Sequence, residues 1–246
     1  MKKGIKLMVM AMGLLGLLGA CGKDPLPDPD ETPLRFSILG DSFSAFEGYV
    51  DPETNDPWYC PPPHNNIDVT CVEDMWWYKV AEEMGWTLEK NNSFSGSLIC
   101  NFWGYNSGPY YSPHSFIRRM DDLGNPDVIF VFGGTNDVWN GAYSGEYVYA
   151  DWTESQLEQY RPALAYLFYN LERLYPYASI YFLVDMDLST LDVQQFVESV
   201  NTIALHYRVK CINLYGIHKD WAHPNRQGMI DIAEQVVAAL RGSVNV

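Results

Sequence analysis

Ile38-Leu39-Gly40-Asp41-Ser42-Phe43-Ser44 closes the first apolar run of the chain, which begins at Arg35-Phe36-Ser37. A short apolar run that ends in turn residues reads as a buried strand with a tight turn at its C-terminal end. In an open α/β sheet that edge holds the reactive groups. A serine there becomes a nucleophile only if a base reaches it. The far end of the chain offers one in Asp220-Trp221-Ala222-His223-Pro224, just ahead of the last helical pattern.

Between these two segments, strand and helix signals alternate. Residues 86–89, 127–132, 179–184 and 210–214 read as further strands, and Val128 to Phe132 is apolar enough for the centre of a parallel sheet. Residues 73–84 have helical spacing, with Trp76, Val80 and Met84 on one face and Gly85 as the C-cap. Residues 115–123 predict a helix ended by Gly124. Thr153 and Gln156 form a capping box for a helix reaching Leu174. Residues 193–206 predict another, and Pro224 opens the last, to about Leu240. Alternation of this kind implies an α/β domain whose parallel sheet is covered on both faces. No internal repeat is present.

The N-terminus does not belong to that fold. Lys2, Lys3 and Lys6 precede an apolar stretch from Leu7 to Leu18, and Gly19 and Ala20 precede Cys21. This is a secretory signal over residues 1–20, with the wrong length and flanks for a membrane span. Leu18-Gly19-Ala20-Cys21 resembles a bacterial lipobox, which implies a lipidated Cys21 as the mature N-terminus. The expectation is an exported protein of the cell envelope, held to a membrane only by that anchor. Residues 21–33, rich in Pro and Asp, read as an extended tether, and 34–246 as one domain.

The formal charge is −15, and removing residues 1–20 takes away three lysines and no acid, giving −15 − 3 = −18. So acidic a chain argues against nucleic-acid partners. An exported chain can form disulfides, and Cys60 and Cys71, in one Pro- and Asn-rich insertion, are the expected pair. Their spacing is not that of a zinc site, and no metal is expected. Cys211, inside an apolar strand, reads as a small buried hydrophobe.

Four segments carry the chemistry, each after a predicted strand: Gly40-Asp41-Ser42, then Gly96 in Ser93-Phe94-Ser95-Gly96, then Gly134-Thr135-Asn136-Asp137, then Asp220-x-x-His223-Pro224. Acyl transfer by a hydroxyl needs a proton acceptor, and His223 serves near neutral pH, from an ordinary pKa of ~6.5. The imidazole needs a partner to fix its tautomer, and Asp220 is three residues away. The tetrahedral oxyanion needs donors. The Ser42 and Gly96 N–H groups and the Asn136 side-chain amide are the candidates.

In order and strand context these segments resemble the four signature blocks of the SGNH hydrolases, the GDSL-type esterases and lipases. The resemblance spans most of the chain from Phe36 onward. It implies a flavodoxin-like, three-layer α/β/α sandwich with a mainly parallel five-stranded sheet. It also implies Ser42 as nucleophile, Gly96 and Asn136 as oxyanion donors, and His223 with Asp220 as base and acid. It implies no metal and no organic cofactor. The long, Cys-bearing insertion after Ser42 departs from the pattern, as does an aromatic-rich loop after Gly96; both separate family from substrate.

Each motif alone has a plainer reading. Gly-Asp-Ser is often just a turn, and Asp220 with His223 could be a helix N-cap region. Their conjunction is what points to a site. His64, His114, His206 and His218 read as surface or capping residues. Asp41 is expected to shape the nucleophile turn, and Asp137 either to bond loop backbone or to cap. Trp58, Tyr59, Trp103, Tyr105, Tyr110, Tyr111 and Trp139 fall in loops near the reactive edge, where they either bind substrate or pack on one another. The expected activity is hydrolysis of a small acyl ester on a carbohydrate, through an acyl-enzyme. The alternatives are a lipase or lysophospholipase, or a non-catalytic surface glycan-binding protein on the same scaffold.

Overall fold

Strand β1 (Arg35–Gly40) lies beside the strand that comes after it in sequence and also beside the one after that. The order across the sheet is β2 (Thr87–Ser93), β1, β3 (Val128–Phe132), β4 (Ser179–Asp185) and β5 (Lys210–Leu214), all parallel. The computed structural model describes residues 32–62, 67–102, 112–187 and 193–242. Cys21, His64 and the aromatics Trp103, Tyr105, Tyr110 and Tyr111 lie outside these. The winding reverses between β1 and β3, so loops leave these two neighbouring strands in opposite directions and open a crevice at their C-terminal ends.

Strand side chains alternate between two cores. Phe36 and Ile38 of β1, Phe130 of β3 and Leu183 of β4 face helices α1 (Trp76–Met84) and α6 (Arg226–Leu240), against Trp76, Val80, Ile232 and Val236. Leu39, Ile129, Val131 and Phe182 point the other way, onto α2 (Phe116–Arg119), α4 (Tyr160–Leu174) and α5 (Val193–Ala204). The result is the three-layer α/β/α arrangement with five central strands. At about 25 cal/mol per Å² of apolar surface, burial on both faces is the main force holding the strands together.

Several boundaries differ from the sequence reading, each for a local reason. Strand β2 runs on through Asn91, Asn92 and Ser93, because their polar side chains find buried partners: Asn91 Nδ2 donates to Ser44 O (2.9 Å) and Asn92 Nδ2 to Asp122 O (2.9 Å). The Thr153–Gln156 box forms, with Thr153 N donating to Gln156 Oε1 at 2.9 Å, but it caps a turn. Helix α4 starts only at Tyr160, because Pro162 has no N–H for a longer helix and is tolerated only in a first turn. The single-turn α2 replaces the longer helix expected over 115–123. The last helix begins at Arg226 behind an Asn225 cap, whose side chain accepts from Gly228 N. Pro224 pairs instead in a hairpin of β6 (Lys219–Asp220) with β7 (His223–Pro224). A five-residue helix, α3 (Thr135–Trp139), comes after β3.

The expected Cys60–Cys71 disulfide is not formed. Both are free thiols; Cys71 sits at the start of a short 3-10 turn with its Sγ bonded to the Asp74 carboxylate at 3.2 Å. Cys100 and Cys211 are free as well.

Candidate active site

The chain turns sharply after β1, and Gly40 makes that possible: a Cβ there would lie 2.5 Å from Ser93 Oγ and 2.9 Å from Ser44 Cβ. Asp41 holds the turn closed, accepting the Phe43 N–H on Oδ1 at 3.0 Å, while Ser44 N donates to Asp41 O at 3.2 Å. The turn sets Ser42 at the sheet edge, where it is 4 % exposed. His223 arrives from the β6–β7 hairpin, 181 residues later, with Nε2 at 2.9 Å from Ser42 Oγ. The two residues singled out at opposite ends of the chain are therefore in hydrogen-bond contact.

The oxyanion candidates line the same edge. Asn136, in the first turn of α3, is buried, and its Nδ2 donates to Ser97 O at 3.1 Å and lies 3.4 Å from Asp41 Oδ2. Gly134 precedes it at φ 99°, a left-handed conformation that glycine adopts without strain. Gly96 also takes a positive φ, 79°. Among the described residues, the N–H groups of Ser42 and Gly96 have no protein acceptor.

Two buried charged residues, Asp137 and Arg119, fix the loop carrying Gly96. Asp137 accepts Ile99 N at 2.9 Å and Cys100 N at 3.2 Å, so of its two expected roles it takes the loop-bonding one. Burial pushes its carboxyl up to about 6, against these hydrogen bonds. Arg119 donates to the Asn92 carbonyl, to Gly40 O at 3.1 Å and to Ser97 Oγ at 2.9 Å. It thus joins the ends of β1 and β2 to the loop beyond. Desolvation holds its guanidinium below the usual arginine value, with Asp41 opposing. Asp41 itself is pushed up to about 7, first by burial and then by the nearby Asp137 and Asp185. In sequence, Arg119 is simply a basic residue at the end of a helical pattern, with no signal of this placement.

Asp220 departs from expectation. It stands directly opposite His223 across the two-residue ladder, yet its Oδ1 accepts from Asn225 Nδ2 at 3.2 Å. Among the described residues, it makes neither a hydrogen bond nor an ion pair with the imidazole. The charge that acts on the His223 pKa is that of Lys219. Lys219 is ion-paired at 2.6 Å with Asp185, at the end of β4. Burial first, and Lys219 second, push the His223 pKa down to about 4, well below the ordinary value expected from sequence. The ring is enclosed by aromatics. Trp58 stacks on it with centroids 3.8 Å apart and planes at 10°, and Phe43 meets it edge-on at 5.5 Å.

The residues between β6 and β7 include Trp221, fully exposed at φ 61°, a strained conformation for a bulky side chain. Trp139 is partly exposed, with its ring 6.5 Å from that of His223. A groove of about 470 Å³ between α1 and α6, lined by Lys79, Glu83, Val237 and Arg241 among others, includes none of these groups. Among the described residues no cluster of His, Cys, Asp and Glu could hold a metal ion.

A hydroxyl in contact with an imidazole, beside backbone donors that have no acceptor among the described residues and at the switch point of a doubly wound sheet, defines the serine-hydrolase class of site. The profile of the GDSL-like Lipase/Acylhydrolase family matches residues 34–240. The crystal structure of a candidate GDSL-like lipase from Bacteroides ovatus ATCC 8483 is similar, at 46 % identity and a TM-score of 0.81, covering 86 % of this chain and 100 % of that one. One from Bacteroides uniformis ATCC 8492 gives 44 %, 0.79, 85 % and 96 %. An acetyl xylan esterase from the rumen bacterium Butyrivibrio proteoclasticus shares the fold at 17 % identity and a TM-score of 0.55, covering 85 % of this chain and 64 % of that one. No protein of curated function matches the chain. The chain belongs to the GDSL-like lipase/acylhydrolase family, the SGNH hydrolases, and is an ester-hydrolysing enzyme.

Proposed function

We propose that the protein is an exported serine esterase that removes small acyl groups, acetyl above all, from carbohydrates. The observation that carries the mechanism is the 2.9 Å contact between His223 Nε2 and Ser42 Oγ. Neutral His223 takes the Ser42 proton as Oγ adds to the ester carbonyl. The negative oxygen of the tetrahedral intermediate accepts from the N–H groups of Ser42 and Gly96 and from Asn136 Nδ2. Collapse expels the alcohol, which leaves with the proton held by His223, and Ser42 remains acylated. Water then gives a proton to His223 and adds to the acyl carbon. The second collapse releases the carboxylic acid and returns the proton to Ser42. Asp220 is assigned a supporting role in shaping the hairpin that carries His223, since its carboxylate is engaged by Asn225.

The carbohydrate reading is supported by the exposed indoles Trp139 and Trp221, whose flat apolar faces suit a sugar ring. The shared fold of the acetyl xylan esterase is consistent with it. The lipid anchor at Cys21 keeps the enzyme at the envelope, where glycans would meet it.

Hydrolysis of p-nitrophenyl acetate by the wild type and by Ser42→Ala tests the chemistry. Activity is expected in the first and not in the second; negligible rates in both would reject the esterase. Acetate release from acetylated xylan, set against fatty-acid release from lysophosphatidylcholine, tests the substrate. Faster release from the lipid would replace the glycan reading with the lysophospholipase one.

A further inference from the structure

In a Ser-His-carboxylate site the carboxylate orients the imidazole and stabilises it once charged. Here Asp220 Oδ1 accepts from Asn225 and, among the described residues, the carboxylate makes no hydrogen bond with the imidazole, so the ring plane in the resting site is set by other contacts. The insertion after Ser42 provides a candidate. Trp58 lies parallel to His223, at 3.8 Å between centroids and 10° between planes.

Its position is fixed from both sides of the site. Trp58 N donates to Ala45 O at 3.1 Å, three residues from the nucleophile, and Tyr59 N donates to the same oxygen at 3.0 Å. The buried Tyr59 hydroxyl donates to Pro224 O at 2.8 Å, adjoining His223. The Trp58–Tyr59 pair therefore spans the nucleophile turn and the base hairpin. Trp58 Nε1 is buried and has no hydrogen-bond partner among the described residues. The indole is thus held by its backbone and by ring packing, with no side-chain hydrogen bond directing it elsewhere. Phe43 closes another side of the imidazole edge-on, at 5.5 Å and 72°.

We propose that Trp58 is a positioning residue for the reaction: its indole fixes the His223 ring plane that presents Nε2 to Ser42, and its π face stabilises the imidazolium formed as the serine gives up its proton. A cation over the face of tryptophan is attracted by the ring quadrupole, and tryptophan is the strongest aromatic partner for one. The imidazole is neutral before the proton moves and charged after it. The attraction therefore grows along the reaction, which is the condition for raising kcat. Attack on the ester carbonyl, breakdown of the intermediate and the fate of each proton are unchanged. The proposal rests on the Ser42–His223 reading.

The experiment uses the full folded domain with p-nitrophenyl acetate. Trp58→Leu removes the π face and is expected to lower kcat by about 5- to 30-fold with KM changed by less than about two-fold, while Trp58→Phe recovers most of the loss. Fluorinated tryptophans placed at position 58 alone keep the shape of the ring and weaken its negative face. They should lower kcat stepwise with fluorine number, whether or not the leucine variant folds. A flat fluorotryptophan series, or a leucine variant with wild-type kcat, overturns the proposal. In either case an active wild type with an inactive Ser42→Ala leaves the esterase reading standing. An inactive wild type would remove both.

Discussion

The acid limb of the pH–rate profile should lie near pH 4, far below that of an ordinary histidine. The base works only when neutral, so activity is complete above the His223 pKa and is lost as pH falls through it. That pKa is pushed down to about 4, chiefly by burial and then by Lys219. At pH 5 roughly nine-tenths of such a group is neutral, against about 3 % for a histidine titrating at ~6.5. The assay is kcat/KM for p-nitrophenyl acetate between pH 3.5 and 8, which reports the free enzyme. Circular dichroism at each pH separates loss of catalysis from acid unfolding. Removing Lys219 alone would leave the Asp185 carboxylate buried and unpaired, at a cost of about 3–5 kcal/mol, so the charge is better removed as Lys219→Met with Asp185→Asn. That double variant should move the limb upward yet keep it below ~6.5, because burial, the larger cause, remains. A limb near 6.5 in the folded wild type would refute the reasoning. It would mean that the imidazole is hydrated, or bonded to a carboxylate, during catalysis.

Asn136→Ala should lower kcat by about 10²–10³-fold with little change in KM, measured by steady-state kinetics, as expected for one lost oxyanion donor. Asp137→Ala leaves the buried Ile99 and Cys100 N–H groups without their acceptor, so urea denaturation should show a loss of about 1–3 kcal/mol for each. Asp220→Asn should cost less than about 10²-fold in kcat, because the resting carboxylate is not on the imidazole; a loss near ~10⁴ would show that it swings there in the reaction. Cys21→Ser should release the protein from the membrane fraction, as tracked by immunoblot after fractionation; continued attachment would point to a different anchor.

The sheet was legible because parallel strands buried on both faces are nearly continuous apolar runs, as in Val128 to Phe132, with turn residues beyond them. The segments at Gly40 and Gly134 come directly after such runs, so their place at one edge could be read before any contact was known. What escaped was set by tertiary partners. Asn91, Asn92 and Ser93 look like a loop until Ser44 and Asp122 satisfy them inside the sheet. Pro224 has the form of a helix start, yet the hairpin takes it and passes the start to Arg226. His223 shows the same division most clearly. Its identity and its meeting with Ser42 could be inferred from one-dimensional pattern. Its electrostatics could not, because the charge of a lysine four residues earlier acts on it, a tryptophan 165 residues earlier stacks on it, and Asp220 Oδ1 is engaged by Asn225. Spacing along the chain fixes which groups can meet; the pKa and orientation of those groups depend on what else the fold packs against them.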